Sequence, residues 1–270
     1  MREIPVTRRL ERMIRTRGVR LTALLLALVL ILLFTGGYIY SPVKLSREYH
    51  ALAEADPVLS ESFHPGLEQP GIIPVLKRKV YAQALLDLAA RDSIHLVVDL
   101  RDSTASLTIR GVTISRVKAK AVELDRVLGM LAMKQYAGLF SHPVEITRQH
   151  STIVKEPIVE RHAPRDTLEA LQNAYQPDTL IQRPAFMELR LEHGIRIIFE
   201  QEDNPHFRDR WASIFFRLNT SLRNVSRYLY EFFSLKGMKY SPRITIRMEA
   251  NDIRAIYRAL PASPHMVIAY

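Results

Sequence analysis

The longest apolar stretch of the chain covers residues 21–34, and no charged side chain lies anywhere in residues 21–40. An α-helix rises about 1.5 Å per residue, so the roughly twenty residues 21–40 match a hydrocarbon core of about 30 Å. The stretch shows no polar face, which distinguishes it from the helix of a soluble protein. The pattern therefore predicts a transmembrane helix over residues 21–40.

Arginine dominates the segment that precedes this helix. Residues 1–20 contain seven arginines and two glutamates. Positively charged flanks remain in the cytoplasm, so we expect a cytoplasmic tail over 1–20 and an exported remainder. Tyr38 and Tyr40 then occupy the opposite membrane interface, where aromatic side chains are enriched. The stretch exceeds the core of a signal peptide, about 7–15 residues, and no Ala-x-Ala sequence follows it, which favours an uncleaved anchor.

Helical and extended patterns divide the exported part. Prolines and glycines are frequent in residues 41–73, which predicts a linker with a short helical stretch near 45–55. From Pro74, apolar residues recur at helical spacing to residue 90, and this predicts the first helix of a globular domain over 74–270. Extended patterns predict strands at residues 94–100, 106–110, 112–117, 144–147, 152–159, 186–192, 195–200, 244–248 and 266–269. Further helices are predicted at residues 122–136, 166–174, 205–235 and 250–260.

His193 and Gly194 separate the two most regular strand patterns. Gly194 tolerates the positive φ that a tight turn needs, so the pair predicts a β-hairpin. Residues 205–235 carry instead an apolar and aromatic stripe at intervals of three or four, with Gly237 at the expected C-cap. Core packing or helix pairing is the expected role of this stripe, whose members are Trp211, Ile214, Phe215, Leu218, Leu222, Val225, Leu229, Phe232 and Phe233.

Charge and cysteine usage restrict the partners and the compartment. The N-terminal tail contributes +5 of the formal charge of +10, so the exported part is only mildly basic and requires no nucleic-acid partner. The chain contains no cysteine, which excludes disulfides, a thiolate nucleophile and cysteine-bound metals. An exported domain of this size without cysteine is typical of a bacterial envelope. The expected location is the bacterial inner membrane, with the C-terminal domain in the periplasm.

Sequence motifs for metal or cofactor chemistry are absent. The nine histidines are scattered, with no His-Glu-x-x-His sequence and no pair four residues apart, so no metal site is expected. No glycine-rich phosphate loop occurs, and no cofactor is expected. Ser141 and His142 leave a Ser–His hydrolase open, because triad residues need not be close in sequence, although no Gly-x-Ser-x-Gly sequence occurs.

Both ends of residues 94–270 resemble the L,D-transpeptidase catalytic domain, a bacterial cell-wall cross-linking fold. The start resembles it in the strand pattern at 94–100 and in the strand and glycine turn at 105–111. The end resembles it in residues 242–248 (Pro-Arg-Ile-Thr-Ile-Arg-Met), in the helix that carries an Asp and a Tyr, and in the closing strand. On this alignment Thr245 stands at the nucleophilic cysteine of the family, and Arg247 stands at its arginine.

The departures from the family pattern imply an inactive domain. Pro242, Arg243 and Ile244 stand where the family has Ser, His and Gly. A further histidine, expected upstream in the family, has no counterpart between residues 211 and 243. Acyl transfer by this route uses a thiolate that forms beside an imidazole. Thr245 offers an alcohol, which is far less acidic than a thiol, and a neighbouring guanidinium stays protonated and cannot act as the base.

These features predict an α+β protein in which a single transmembrane helix carries an exported mixed α/β domain with an antiparallel, L,D-transpeptidase-like β core. The expected role is non-catalytic: a structural or binding subunit of an envelope assembly, with envelope proteins, peptidoglycan and a second copy of the chain as candidate partners. Arg243, Thr245 and Arg247 are the candidate residues for binding wall peptide, because arginine pairs with peptide carboxylates. Two alternatives stay open: a wall-modifying hydrolase or transpeptidase with an atypical nucleophile, and a scaffold that binds only other proteins.

Overall fold

The structure is a computed structural model that describes residues 6–55, 69, 71–155, 184–202 and 239–270, together with some of the positions between 211 and 234. The helices are α1 (Val6–Ala55), α2 (Ile73–Ala89), α3 (Arg126–Gly129), α4 (Met133–Phe140) and α5 (Ala250–Ala259). The strands are β1 (His95–Asp99), β2 (Thr104–Ile109), β3 (Val112–Lys118), β4 (Ala121–Leu124), β5 (Val144–Ser151), β6 (Phe186–Leu191), β7 (Arg196–Gln201), β8 (Arg243–Met248) and β9 (His265–Ala269). The predicted helix at 166–174 and the end of the predicted strand at 152–159 lie outside the described residues.

Helix α1 contains the predicted membrane span and continues beyond it. The stretch Leu24–Ala55 is long and apolar enough, by length and composition, to cross a membrane. Its leucines between residues 24 and 33 are exposed, as expected for a helix that faces lipid. In a helix of a protein core these leucines would be buried. The structure therefore contains one candidate membrane helix among the described residues.

A side-chain hydrogen bond lets α1 pass through Pro42 into the predicted linker. Proline has no N–H, so the carbonyl of Tyr38, four residues earlier, loses its usual helical donor. The Ser41 hydroxyl donates to that carbonyl at 2.8 Å and satisfies it. The first part of the predicted linker, to Ala55, is helical, while residues 56–68 lie outside the described part of the chain.

Contacts between residues divide the chain into two units. The first comprises Met1–Leu45 and Asn224–Tyr240, and the second comprises Ser46–Arg223 and Ser241–Tyr270. The second unit holds all the described strands, which form a single sheet in the order β3-β2-β1-β9-β5-β6-β7-β8-β4. An α+β architecture with an N-terminal apolar helix is therefore confirmed.

The sheet is mixed, and the prediction of an antiparallel core is correct for only part of it. Six strand pairings are antiparallel. Strand β1 pairs with β9, and β7 pairs with β8, in parallel. Long stretches of chain separate the members of both parallel pairs, and a long connection, unlike a tight hairpin, lets the second strand run in the same direction as the first.

The predicted helix at 122–136 is wrong over its first three residues, 122–124, and is divided into α3 and the start of α4. Residues 121–124 form β4, which pairs with β8, and Asp125 then ends the strand by capping α3: its carboxylate accepts from the Val127 N–H at 3.0 Å. Cross-strand pairing with β8 overrides the local helical pattern. The hairpin prediction is confirmed, and both turn residues have positive φ, 61° at His193 and 79° at Gly194.

The apolar core lies against one face of β6, β7 and β8. Leu189, Ile197 and Ile244 are cross-strand neighbours on that face and are fully buried. Helix α5 contacts β6 and β7, and its buried residues are Ile253 and Ile256. The charged residues of the same strands therefore collect on the opposite face, because side chains alternate along a strand.

Replacing Ile197 by Ala tests this assignment of the core. Ile197 is 0% exposed, and we expect the change to lower the free energy of unfolding by about 2–5 kcal/mol through lost burial and a cavity. Ile114, on β3, is 57% exposed, so the chemically identical Ile114→Ala should cost less than about 1 kcal/mol. Denaturant unfolding of the detergent-solubilised full chain measures both, and equal costs would contradict the assignment.

Candidate functional site

The candidate residues Arg243, Thr245 and Arg247 occupy alternate positions of β8, and the structure places them on one face of the sheet. Two residues of strand separate each from the next by roughly 7 Å. Arg243 is exposed, Arg247 is partly exposed, and Thr245 is only 5% exposed. The three share a surface, but Thr245 is the least accessible of them.

Thr245 lies between a glutamate and an isoleucine. Its cross-strand neighbours are Glu123 on β4 and Ile198 on β7. The same row continues through Glu188 on β6 to His150 on β5. Because neighbouring strands are about 4.8 Å apart, His150 lies about 14 Å from Thr245 along the sheet. A base that removes a proton must approach within about 2.6–3.2 Å, so this histidine cannot activate Thr245 in this arrangement.

Arg247 is engaged by a carboxylate of its own sheet. Its guanidinium donates to Glu123 in a close ion pair, and both side chains remain partly exposed. Such an exposed pair contributes only about 0–1 kcal/mol to stability. The pair offsets the charge of Arg247, so a ligand carboxylate would compete with Glu123 for this guanidinium.

Arg243 ends a row of arginines that crosses four strands, and this row was not predicted. Cross-strand neighbours in register share a face, and the row pairs Arg243 with Arg196, Arg196 with Arg190, and Arg190 with Arg148. Like charges directly opposite one another are destabilising. The sequence holds one signal for it: Arg190 and Arg196 lie three residues on either side of His193, as hairpin partners must.

A buried carboxylate compensates the middle of this arginine row. Glu188 is 2% exposed and accepts from Arg190 Nε at 3.1 Å, while Arg196 Nη1 lies 3.7 Å from the same oxygen. The ends of the row differ, because both Arg148 and Arg243 are exposed. The middle of the row is therefore structural, and its two ends are the arginines that a ligand can reach.

The distance between Ser93 and His95 resembles that of a catalytic dyad, but the histidine carries its proton on the wrong nitrogen to act as a base. Ser93 Oγ lies 3.0 Å from His95 Nε2, and the backbone N–H of His265 donates to His95 Nδ1 at 3.3 Å. Since Nδ1 accepts, the neutral ring carries its proton on Nε2, which faces the serine. His95 consequently cannot take a proton from Ser93. Burial, with His265 and Arg91 nearby, lowers the pKa of His95 to about 4.

The Ser141–His142 sequence does not form a catalytic pair either. His142 Nδ1 lies 2.7 Å from the Asp87 carboxylate on α2, and both side chains are well exposed. Ser141 is buried at the end of α4. The geometry is that of a surface hydrogen bond between α2 and the loop that follows α4.

The apolar stripe of residues 205–235 is exposed, which corrects the expectation of core packing. Its described members are helical, and each is at least 40% exposed: Trp211, Ile214, Phe215, Leu218, Leu222, Val225 and Leu229. Phe232 and Phe233 lie outside the described residues. The helical prediction is confirmed at the described positions from 211 to 231, but periodicity cannot tell which partner covers an apolar face.

Among the described residues, no group of three or more His, Asp or Glu side chains is arranged to hold a metal ion. Comparisons with protein-family models, with curated proteins and with solved structures find no match for this chain.

The lowered pKa of His95 predicts acid-sensitive stability. The folded chain binds this proton less tightly than the unfolded chain, whose histidine has a pKa near 6.5, so stability should fall as the pH drops from about 6.5 to about 4. We expect His95→Gln, which keeps a donor and an acceptor, to lose less free energy of unfolding than the wild type over that range. Urea titrations at several pH values measure this, and identical pH profiles would contradict it.

Proposed function

We propose that this chain is a non-catalytic, membrane-anchored protein of the bacterial envelope, with its sheet domain in the periplasm, that binds wall peptide through the exposed arginines of its polar sheet face. The observation that carries the proposal is the arginine row that ends at Arg243 beside a buried Thr245. The long apolar helix and the arginine-rich tail before it support the anchor and its orientation.

The surroundings of Thr245 favour binding over catalysis. An alcohol becomes an effective nucleophile only when an adjacent group takes its proton. The neighbours of Thr245 in register are Ile198, which is apolar, and Glu123, whose carboxylate is held by Arg247. Ile198 offers no proton acceptor, and the carboxylate of Glu123 already accepts a hydrogen bond from Arg247, so neither neighbour is placed as a general base for Thr245.

The exposed arginines suit a carboxylate ligand. A guanidinium presents parallel N–H donors that match the two oxygens of a carboxylate or phosphate. The stem peptides of a bacterial wall carry free carboxylates, so Arg243 and Arg148 are the residues that we expect to contact them. Arg247 is a weaker candidate than Arg243, because Glu123 already pairs with its guanidinium.

A second candidate function, a scaffold that binds only proteins, is favoured by the exposed apolar stripe. Residues such as Trp211, Phe215 and Leu218 are large, apolar and accessible, which is typical of a surface that contacts another molecule. This alternative requires no role for the arginine row. Binding to isolated wall material therefore separates the two functions.

Co-sedimentation with purified sacculi tests the proposal. The detergent-solubilised full chain should sediment with the sacculi and leave the muropeptide profile unchanged. We expect Arg243→Gln to lower the bound fraction about three- to tenfold, because one charge-assisted contact is lost. Arg258→Gln, which removes the same charge from an exposed position on α5, should bind like the wild type.

Each other outcome points to a different function. If Arg243→Gln and Arg258→Gln lower the bound fraction equally, or if neither lowers it, the arginine row does not bind the wall. New or missing muropeptides would show that the chain modifies the wall, and would favour the enzyme alternative. If no form of the chain sediments, wall binding fails, and the protein scaffold becomes the better account.

A further inference from the structure

The exposed apolar surface of α1 extends to the outer end of the predicted span. Tyr38, Ile39, Tyr40 and Val43 are all well exposed. A span of about twenty residues that begins near residue 21 reaches the edge of the hydrocarbon at Tyr40. Tyrosines at that depth lie at the level of the lipid headgroups, where their apolar rings and polar hydroxyls are both accommodated.

A second helical stretch of the same unit is fixed beside this point. The rings of Tyr38 and Tyr228 meet edge to face, with centroids 5.7 Å apart and planes at 83°. Tyr228 is buried, while residues 229–231 continue the helix and the Ser234 N–H donates to the Tyr230 carbonyl at 2.9 Å. The aromatic contact therefore sets the depth of this stretch relative to α1.

The second stretch presents apolar side chains away from that contact. Val225 and Leu229 are four residues apart, so they share one helix face, and they are 47% and 40% exposed. The acidic residue of the stretch, Glu231, is directed to the chain itself, because its carboxylate accepts from the Lys239 N–H at 2.9 Å. Among the residues that the structure describes, the face formed by Val225 and Leu229 is thus apolar.

From this placement we infer that the face of Val225 and Leu229 lies in the outer membrane interface and contacts lipid. The inference rests on the membrane span of the proposed function. The occupant is lipid because the face is held at the end of the span, beside Tyr38, where the apolar surface of α1 is already exposed to the bilayer. An amphipathic helix at that level buries its apolar face among headgroups and upper acyl chains.

Single-tryptophan reporters test the inference, because Trp211 is the one tryptophan of the chain. In a Trp211→Phe background, we would introduce Leu229→Trp or Val225→Trp, and Leu30→Trp as the reporter for mid-span. Each full-length variant is reconstituted in phosphatidylcholine and phosphatidylglycerol vesicles that contain lipids brominated either near the headgroup or near the chain ends. Bromine quenches tryptophan only at contact.

We expect lipid brominated near the headgroup to reduce the emission of Leu229→Trp and of Val225→Trp roughly twofold, as for an interfacial side chain. Leu30→Trp should instead be quenched most by lipid brominated near the chain ends. If Leu30→Trp is quenched and both interface reporters are not, the inference is overturned while the anchor stands. Shielding of those reporters from aqueous acrylamide without bromine quenching would assign the face to protein, such as a second copy. If no reporter is quenched, the span itself fails, and the inference fails with it.

Discussion

The pairing of strand β8 on both of its edges is the constraint on which the candidate site depends. Strand β7 holds it in parallel and β4 holds it antiparallel, so its register is fixed from two sides. A shift by one residue would move every side chain of β8 to the other face. This register brings Thr245 between Glu123 and Ile198, and it brings Arg243 into line with the arginines of three other strands.

The arginines that this register brings together repel one another, which lowers the stability of the fold unless an opposite charge compensates them. The fold offsets this at the middle of the row with the buried carboxylate of Glu188. At the two ends of the row, Arg148 and Arg243 are open to solvent. Apolar residues at these positions would avoid the repulsion between the arginines. Exposed charges that are kept despite this cost are typical of a surface that binds a ligand, and this is the physical basis of the proposed wall-peptide contact.

Sequence patterns predicted the local elements better than the contacts between them. The 193–194 turn and the helix that opens near Pro74 followed from glycine, proline and periodicity, which act locally. The strand at 121–124 did not, because its partner β8 lies about 120 residues away. The arginine row depends on the registers of three strand pairs at once, which no local pattern specifies. The exposure of Leu229 depends on which partner covers its helix face, and a local pattern does not specify that either. Where α1 continues through Pro42, the Ser41 hydroxyl satisfies the carbonyl that proline leaves without a donor, and a pattern search treats this serine as an ordinary linker residue.

The functional account requires that the sheet domain be exported, and a single labelling experiment tests this most directly. The chain has no native cysteine, so a Val112→Cys variant carries one thiol, at an exposed position on β3. The full chain is produced in bacteria, the cells are converted to spheroplasts, and the spheroplasts are treated with a membrane-impermeant maleimide. The account predicts labelling of intact spheroplasts at the level seen after lysis. Labelling only after lysis would place the domain in the cytoplasm and contradict the proposal that it binds the wall.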